Sequence, residues 1–360
     1  MRYNILYISP NFNLACGISK HVFTLLTSSE LNSEFNIYFI SNGGDALHKL
    51  DDTGINYSIT NFKTDKIIHF DLLKNLNQLK KFCKEKEIHL IHSHHRYPEY
   101  LSNVIKKHMR IKTIMTVHDF VYGLKSFSYK SDKLLAISNS VAAHLVNNFQ
   151  ICSSKMNIIY NCINQKEYLE RNRKEIKAKL CIQPDKKVLL YSGRFSKEKG
   201  IKTLLDAFSL LGEYYSNSIL LMVGCDKHSV TFNYEKNEDV MIFPSRESVD
   251  EFYAISDLVI LPSFTEGLGY AMLEAGKNRI PFIGSRVGGI KEFIEDYADG
   301  FLFEPGNPND LAEKISFVLD NPVEARNAAL RLNEKVKRLC NSENYFQKIS
   351  NIYNELLAGI

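Results

Sequence analysis

The sequence predicts an α/β protein made of two doubly wound domains, and three observations predict it. Short apolar runs of strand length alternate with longer segments of helical period; the rhythm is interrupted by a polar, charged stretch over 165–185, with Pro184 near its end; and the charge changes sign across that interruption. Such alternation is the βαβ pattern of a mostly parallel sheet covered on both faces. A chain of 360 residues can bury two separate cores. Residues 1–165 hold 19 Lys/Arg against 12 Asp/Glu, a balance of +7, whereas the remainder holds 26 against 29, a balance of −3. Ten of the eleven histidines also fall in the first half, so the halves are expected to meet different partners.

Taken in order, the first-half strands are expected at 4–9 (NILYIS), 36–41 (NIYFIS), 88–92 (IHLIH), 112–117 (KTIMTV), 133–137 (KLLAI) and 157–160 (NIIY). Helices are expected near 18–30, 70–86, 97–109 and 139–148. After the 165–185 linker the strands resume at 187–193, 219–224, 240–243, 257–263 and 281–285, with a helix from Gly200. Helices over 308–319, 322–339 and 342–358 close the chain.

Composition narrows the function classes. Hydrophobic residues at 44% and charged ones at 24% are globular values. There is no basic start followed by a signal-type apolar run, and no stretch of about 18 apolar residues, so a soluble, cytoplasmic protein is expected. Seven cysteines, at 16, 83, 152, 162, 181, 225 and 340, form no C-x-x-C pair and read as reduced thiols. The basic charge is diffuse and interleaves with no aromatic module, so no nucleic-acid partner is expected.

In doubly wound sheets, ligands sit beyond the carboxyl ends of the strands. After the strand at 187–193 comes GRFSKEKG (193–200), where Arg194 and Lys199 bracket a polar loop; two cations there suit a diphosphate. A solvated loop of the same composition is the plainer alternative. After the strand at 257–263, the residues from Gly267 to Gly276 have helical spacing, with Leu268, Ala271, Met272 and Ala275 on one face. Gly267 and Gly269 let a ligand approach the backbone, and helix-start amides carry partial positive charge. Glu266 and Glu274 stand eight positions apart, about 12 Å along a helix, and each carboxylate can accept two bonds from neighbouring hydroxyls. A nucleoside diphosphate joined to a sugar satisfies all these groups. A helix-dipole role for Glu266 and a surface position for Glu274 are the alternatives.

These segments resemble the retaining family-4 glycosyltransferases. The likeness is strongest in YSGRFSKEKGIKTLLDAF (191–208), SDLVILPSFTEGLGYAMLEAGKNRIPFIGSRVGGIKEFI (256–294) and DGFLFEPGNPNDLAEKI (299–315). The resemblance implies the GT-B fold: two Rossmann-like domains, 1–165 on the acceptor side and 166–341 binding the donor, facing a central cleft, with the helix at 342–360 packing back on the first. It gives Arg194 and Lys199 the diphosphate, Glu266 the donor-sugar hydroxyls and Glu274 the ribose. Gly267, Leu268 and Gly269 would offer amides to phosphate. FPSRESVDEFYAISD (243–257) matches the base-binding segment and sets Ser245 and Arg246 beside the base. In the first half, PNFNLACGISKHVFTLL (10–26) is similar to the glycine-rich loop, with Cys16 in place of one glycine, so Gly17 alone is carried over to the phosphate. TVHDF (116–120) makes His118 the histidine at the donor sugar. IHSHHRYP (91–98) offers His94, His95 and Arg96 to the acceptor, or is simply a solvated turn. YNCIN (160–164) departs from the family's usual Pro, Gly and Asp there.

The implied activity is retaining transfer from a UDP-linked donor, UDP-GlcNAc or a UDP-hexose, to a glycan, lipid-linked or protein-linked acceptor in bacterial surface polysaccharide or glycoconjugate assembly. A sugar-nucleotide epimerase on the same scaffold and a non-catalytic nucleotide-sugar-binding protein are the alternatives. No D-x-D pair occurs, so no metal and no cofactor beyond the donor co-substrate are expected. His92, His94 and His95 on one loop seldom close a tetrahedral zinc cage. The basic segments 74–87 and 104–112 suggest peripheral contact with the inner face of an anionic membrane.

Overall fold

The computed structural model describes residues 2–60, 69–163, 172–225, 238–246 and 248–358. The chain forms two compact units, one of Met1–Asn161 with Glu343–Ile360, the other of Cys162–Ser342.

The first unit contains a seven-stranded parallel sheet. Its strands are β1 (Asn4–Ile8), β2 (Asn36–Ser41), β3 (Asn56–Ile59), β4 (Leu90–Ser93), β5 (Lys112–Val117), β6 (Lys133–Ala136) and β7 (Met156–Ile158), in the order β3-β2-β1-β4-β5-β6-β7. The apolar runs of β1, β4 and β5 are nearly continuous because helices cover both faces, so these central strands are buried on both sides, while the edge strands β3 and β7 are partly exposed. The covering helices are α1 (Gly17–Leu26), α2 (Ser29–Glu34), α3 (His69–Glu85), α4 (Arg96–Ile105) and α5 (Asn139–Phe149). Leu6, Ile8, Leu79, Ile91, Leu101 and Ile105 join strand and helix faces in one core cluster; each such side chain contributes about 1.5–3 kcal/mol by leaving water.

The second unit opens with α6 (Arg173–Lys179) and holds a six-stranded parallel sheet: β8 (Lys187–Ser192), β9 (Ser218–Cys225), β10 (Val240–Pro244), β11 (Leu258–Leu261), β12 (Phe282–Ser285) and β13 (Phe301–Phe303), in the order β10-β9-β8-β11-β12-β13. Its remaining helices are α7 (Ile201–Leu211), α8 (Asp250–Ile255), α9 (Tyr270–Lys277), α10 (Gly288–Phe293), α11 (Pro308–Asp320) and α12 (Pro322–Leu339). The final helix, α13 (Ser342–Leu357), belongs to the first unit. There Tyr353 shares a 2.7 Å hydroxyl contact with Tyr7 of β1 and lies 2.6 Å from His92 Nδ1 of β4. Both sheets are doubly wound, and the fold class expected from the sequence is the one found.

Several elements differ from the sequence reading. The helix expected over 18–30 is two, because the Ser28 hydroxyl accepts from the Leu31 amide and starts α2 afresh. The helix expected to run to 109 ends at Ile105. Part of the expected linker is α6, capped by the Asn172 side chain on the Lys174 amide; residues 164–171 lie outside the described residues. The helix expected from Gly267 begins at Tyr270, since Gly269 takes φ +88°, which no helix continues through. Strands β3 and β13 and helix α10 were not anticipated. Among the described residues no helix is long and apolar enough to cross a membrane.

Candidate active site

Each sheet reverses direction once, between β1 and β4 in the first unit and between β8 and β11 in the second. At such a switch point the loops diverge and leave a crevice beyond the strand ends, where ligands bind in folds of this class.

In the second unit the β8 exit leads through Gly193 to Lys199, and the β11 exit leads through Ser263 to Gly269. The two loops meet: Lys199 Nζ lies 2.6 Å from Glu266 Oε2, and the Ser263 hydroxyl donates to the same oxygen at 3.2 Å. Their side chains are only 17% and 14% exposed, so water screens this pair poorly. The loops are locked at the backbone as well. The Phe264 amide donates to the Glu198 carbonyl at 2.8 Å, and the Gly289 amide donates to the Glu266 carbonyl at 3.0 Å. Gly200 has φ +66°, and a Cβ there would stand 1.9 Å from the Pro262 carbonyl oxygen, so only glycine lets α7 begin against the end of β11. Arg194 is exposed and makes no ion pair among the described residues; its carbonyl accepts from the Tyr191 hydroxyl at 2.6 Å. The structure therefore unites Lys199 with Glu266 and leaves Arg194 pointing to solvent.

Residues 267–269 precede α9 as buried loop, so their amides belong to a turn and not to a first helical turn. Glu274 is no surface residue. It is 9% exposed and accepts from the Tyr253 hydroxyl at 2.8 Å. Tyr253 lies on α8, beyond the loop holding Ser245 and Arg246, and also bonds the Ser192 side chain at the β8 exit. Burial, then the Glu274 charge, hold its phenol well above the ordinary tyrosine range. The sequence reading missed Tyr253, although it stands inside the quoted 243–257 segment. Ser245 donates its amide to the Cys225 carbonyl at 3.1 Å, and the exposed Arg246 guanidinium sits 5.9 Å from the Phe243 ring centroid.

In the first unit the β1 exit carries Cys16 and Gly17. Cys16 is extended (φ −106°, ψ 118°) as the N-cap of α1, a conformation open to any residue, so its side chain strains nothing. Gly17 is exposed as the first residue of α1. The Ser19 hydroxyl braces the loop by accepting from the Asn13 amide at 2.9 Å. Beyond β4, His94 is 2% exposed and not presented to solvent as a turn would present it. Its Nδ1 lies 3.1 Å from Nε2 of His118, which leaves β5 and is partly exposed. His21 of α1 completes the group, its ring centroid 4.7 Å from that of His118. Burial, with smaller contributions from neighbouring rings, pushes His94 and His118 well below the ordinary histidine range, and burial pushes His21 down to about 3. These rings are neutral. His95 is the N-cap of α4 without a side-chain cap bond, and Arg96 is committed to the 122–128 loop, donating to the Gly123 carbonyl at 2.8 Å.

Comparison with known proteins fits this layout. The model of "Glycosyltransferase Family 4" matches residues 17–167 and that of "Glycosyl transferases group 1" matches 172–338. N-acetyl-alpha-D-glucosaminyl L-malate synthase of Bacillus anthracis is 26% identical over 300 residues, covering 78% of each chain. The O-antigen biosynthesis glycosyltransferase WclY of Escherichia coli is 25% identical over 96% of each. The crystal structure of Anabaena HepE with UDP-glucose superposes with a TM-score of 0.82 at 16% identity, over 98% of this chain and 100% of that one.

Proposed function

Because the chain belongs to the family-4 glycosyltransferases, whose activity is glycosyl transfer, we propose that it moves a hexosyl or N-acetylhexosaminyl group from a UDP-linked donor, with retention, to a glycan or lipid-linked acceptor in surface polysaccharide or glycoconjugate assembly. The observation that carries the reading is the Lys199–Glu266 pair at the switch point of the second sheet. A cation and a carboxylate held 2.6 Å apart in a poorly hydrated crevice can address two adjoining parts of one ligand. Lys199, joined by Arg194, takes the diphosphate; Glu266 takes sugar hydroxyls. The amides of Gly267, Leu268 and Gly269 line the same loop. Tyr253 holds Glu274 toward the ribose, and Ser245 and Arg246 flank the base. Gly17 is assigned to phosphate, His118 to the sugar, and His94, His95 and Arg96 to the acceptor side.

Fixed cations and amides aimed at the departing diphosphate lower the barrier without reorganising, so the diphosphate needs no divalent cation. No carboxylate beside the sugar is free to be a nucleophile in this reading, since Glu266 is engaged with Lys199. Retention then follows from front-face displacement: the bond to the acceptor oxygen forms as the bond to the diphosphate oxygen breaks, and that oxygen takes the acceptor proton. The relatives support the substrate classes: one is named for glucosaminyl transfer to malate, another for O-antigen biosynthesis, and HepE was crystallised with UDP-glucose. Exposed Lys74, Lys80, Lys81 and Lys84 on α3, beside the exposed Leu73, support peripheral contact with an anionic bilayer.

The test incubates the protein with a panel of nucleotide sugars and acceptors and follows the anomeric proton by NMR. Released UDP, an α-linked product from an α-linked donor and turnover indifferent to added Mg2+ are expected. A β-linked product overturns retention, and an altered sugar still joined to its nucleotide overturns transfer.

A further inference from the structure

We infer that residues 120–127, in the loop between β5 and β6, insert into the headgroup layer of an anionic lipid bilayer and anchor the first unit there. Parallel neighbours are ordinarily joined by a covering helix, yet residues 118–132 connect β5 to β6 without one. A connection of that length with no secondary structure is uncommon and usually functional. Its tip is apolar: Tyr122, Leu124 and Phe127 are 68%, 57% and 56% exposed. Every residue from 122 to 127 is exposed, so these large side chains gather in one short tip, whereas apolar residues on an ordinary surface are scattered singly.

The tip is fixed in that pose from both sides. Arg96 of α4 donates to the Gly123 carbonyl at 2.8 Å and to the Tyr122 carbonyl at 3.4 Å. One turn further along α4, the fully buried Glu99 accepts from the amides of Tyr129, Lys130 and Ser131 at 3.1, 2.6 and 2.9 Å. From α5, His144 Nε2 donates to the Val121 carbonyl at 3.1 Å, and the Tyr122 ring stands edge-on to His144 with centroids 4.8 Å apart. The loop is thus clamped between α4 and α5, where a crossover helix would otherwise lie. A free loop would fold its apolar groups back onto the protein, because leaving water is favourable. Here Gly123 and Leu124, at φ +77° and +52°, turn the clamped chain at its tip.

Composition selects the occupant. No acidic residue occurs between Asp119 and Asp132, while Lys125 stands among the apolar groups and Lys130 follows them; Asp132 itself is paired with Lys106 at 3.0 Å. Aromatic rings interleaved with cations suit the interface of an anionic bilayer, where amphipathic rings settle at headgroup level and lysines are drawn to the surface. A protein partner is disfavoured by size, since a stable interface takes about 20–30 residues a side. α3 packs against α4, Asn75 Nδ2 donating to the Tyr97 hydroxyl at 2.7 Å. Right-handed crossovers place α3, α4 and this loop on one face of the sheet, so the exposed lysines of α3 share the face with the apolar tip. The inference rests on the proposed peripheral contact with an anionic bilayer and deepens it: α3 attracts the surface, and the loop enters it. None of residues 120–127 is assigned to donor or acceptor.

The chain contains no tryptophan, so Leu124→Trp in the full-length protein installs a single fluorescent reporter at the tip, and Leu73→Trp installs one on α3. Each is mixed with vesicles of phosphatidylcholine and phosphatidylglycerol carrying brominated acyl chains. Blue-shifted, quenched emission is expected from Leu124→Trp, with weaker quenching from Leu73→Trp. Combining Tyr122→Ser, Leu124→Ser and Phe127→Ser should weaken co-sedimentation with the same vesicles on the order of 100-fold, and Lys125→Ala about fivefold, with circular dichroism unchanged. A Leu124→Trp reporter that keeps its water-exposed emission while the protein sediments with vesicles overturns the inference and leaves the contact through α3 standing. Protein that does not sediment with vesicles at low salt overturns that contact and the inference together. Emission already blue-shifted without vesicles, and increasingly so as protein concentration rises, assigns the tip to a second copy of the chain and overturns the inference as well.

Discussion

The two switch points occupy the same place in the same kind of sheet and are opposites electrostatically. In the second unit the crevice holds formal charges, Lys199 against Glu266, on loops cross-bonded at the backbone. In the first it holds neutral imidazoles packed ring on ring. The strand order dictates only where side chains converge. What converges is decided by three or four loop residues, and it sets whether the crevice receives an anion with its sugar or a neutral partner.

The contrast can be broken at the charged end first. Glu266→Ala leaves Lys199 without its partner and should lower kcat/KM on the order of 10³-fold, about 4 kcal/mol, with circular dichroism unchanged; a folded variant with ordinary turnover sinks the assignment. Acid sharpens the comparison next. His21 titrates near 3 when folded and near 6.5 when unfolded, so below 6.5 the unfolded chain binds the extra proton and stability falls with pH. Native-state hydrogen exchange should show β1, β4 and β5 losing protection between about pH 6.5 and 4 while β8 and β11 hold. Equal losses in both sheets would remove the distinction. Gly200→Ala puts a methyl against the Pro262 carbonyl at positive φ and should cost about 3 kcal/mol in urea unfolding, with activity falling because Lys199 moves. The smallest effect is Tyr253→Phe, which removes a donor from buried Glu274: about 1–2 kcal/mol of stability and a rise of roughly tenfold in donor KM, with kcat nearly kept.

Legibility followed the physics of each signal. Strands such as β1, β5 and β9 were visible because burial on both faces demands unbroken apolar runs. Lys199 and Glu266 were visible as candidates because charge beside glycine at a strand exit is unusual and local. His21 was not: it sits on the buried face of an amphipathic helix, 73 and 97 positions from its partners, and no spacing rule links them. Tyr253 looked like any apolar residue of α8 until its hydroxyl was seen against Glu274. Strand β13 has three residues, too few to show a period, and the capped α6 was hidden by a charged composition that suits a linker equally well.

The seating of α13 on β1 and β4 carries a consequence for biogenesis. Tyr353 must reach Tyr7 and His92 across more than 260 positions, and everything from Cys162 to Ser342 leaves the ribosome in between. Synthesis order is thus inverted in assembly: the unit translated second has all its strands in hand while the unit translated first still waits for its last helix, and in that interval the hydroxyl and imidazole groups around Tyr7 depend on solvent or chaperones for cover.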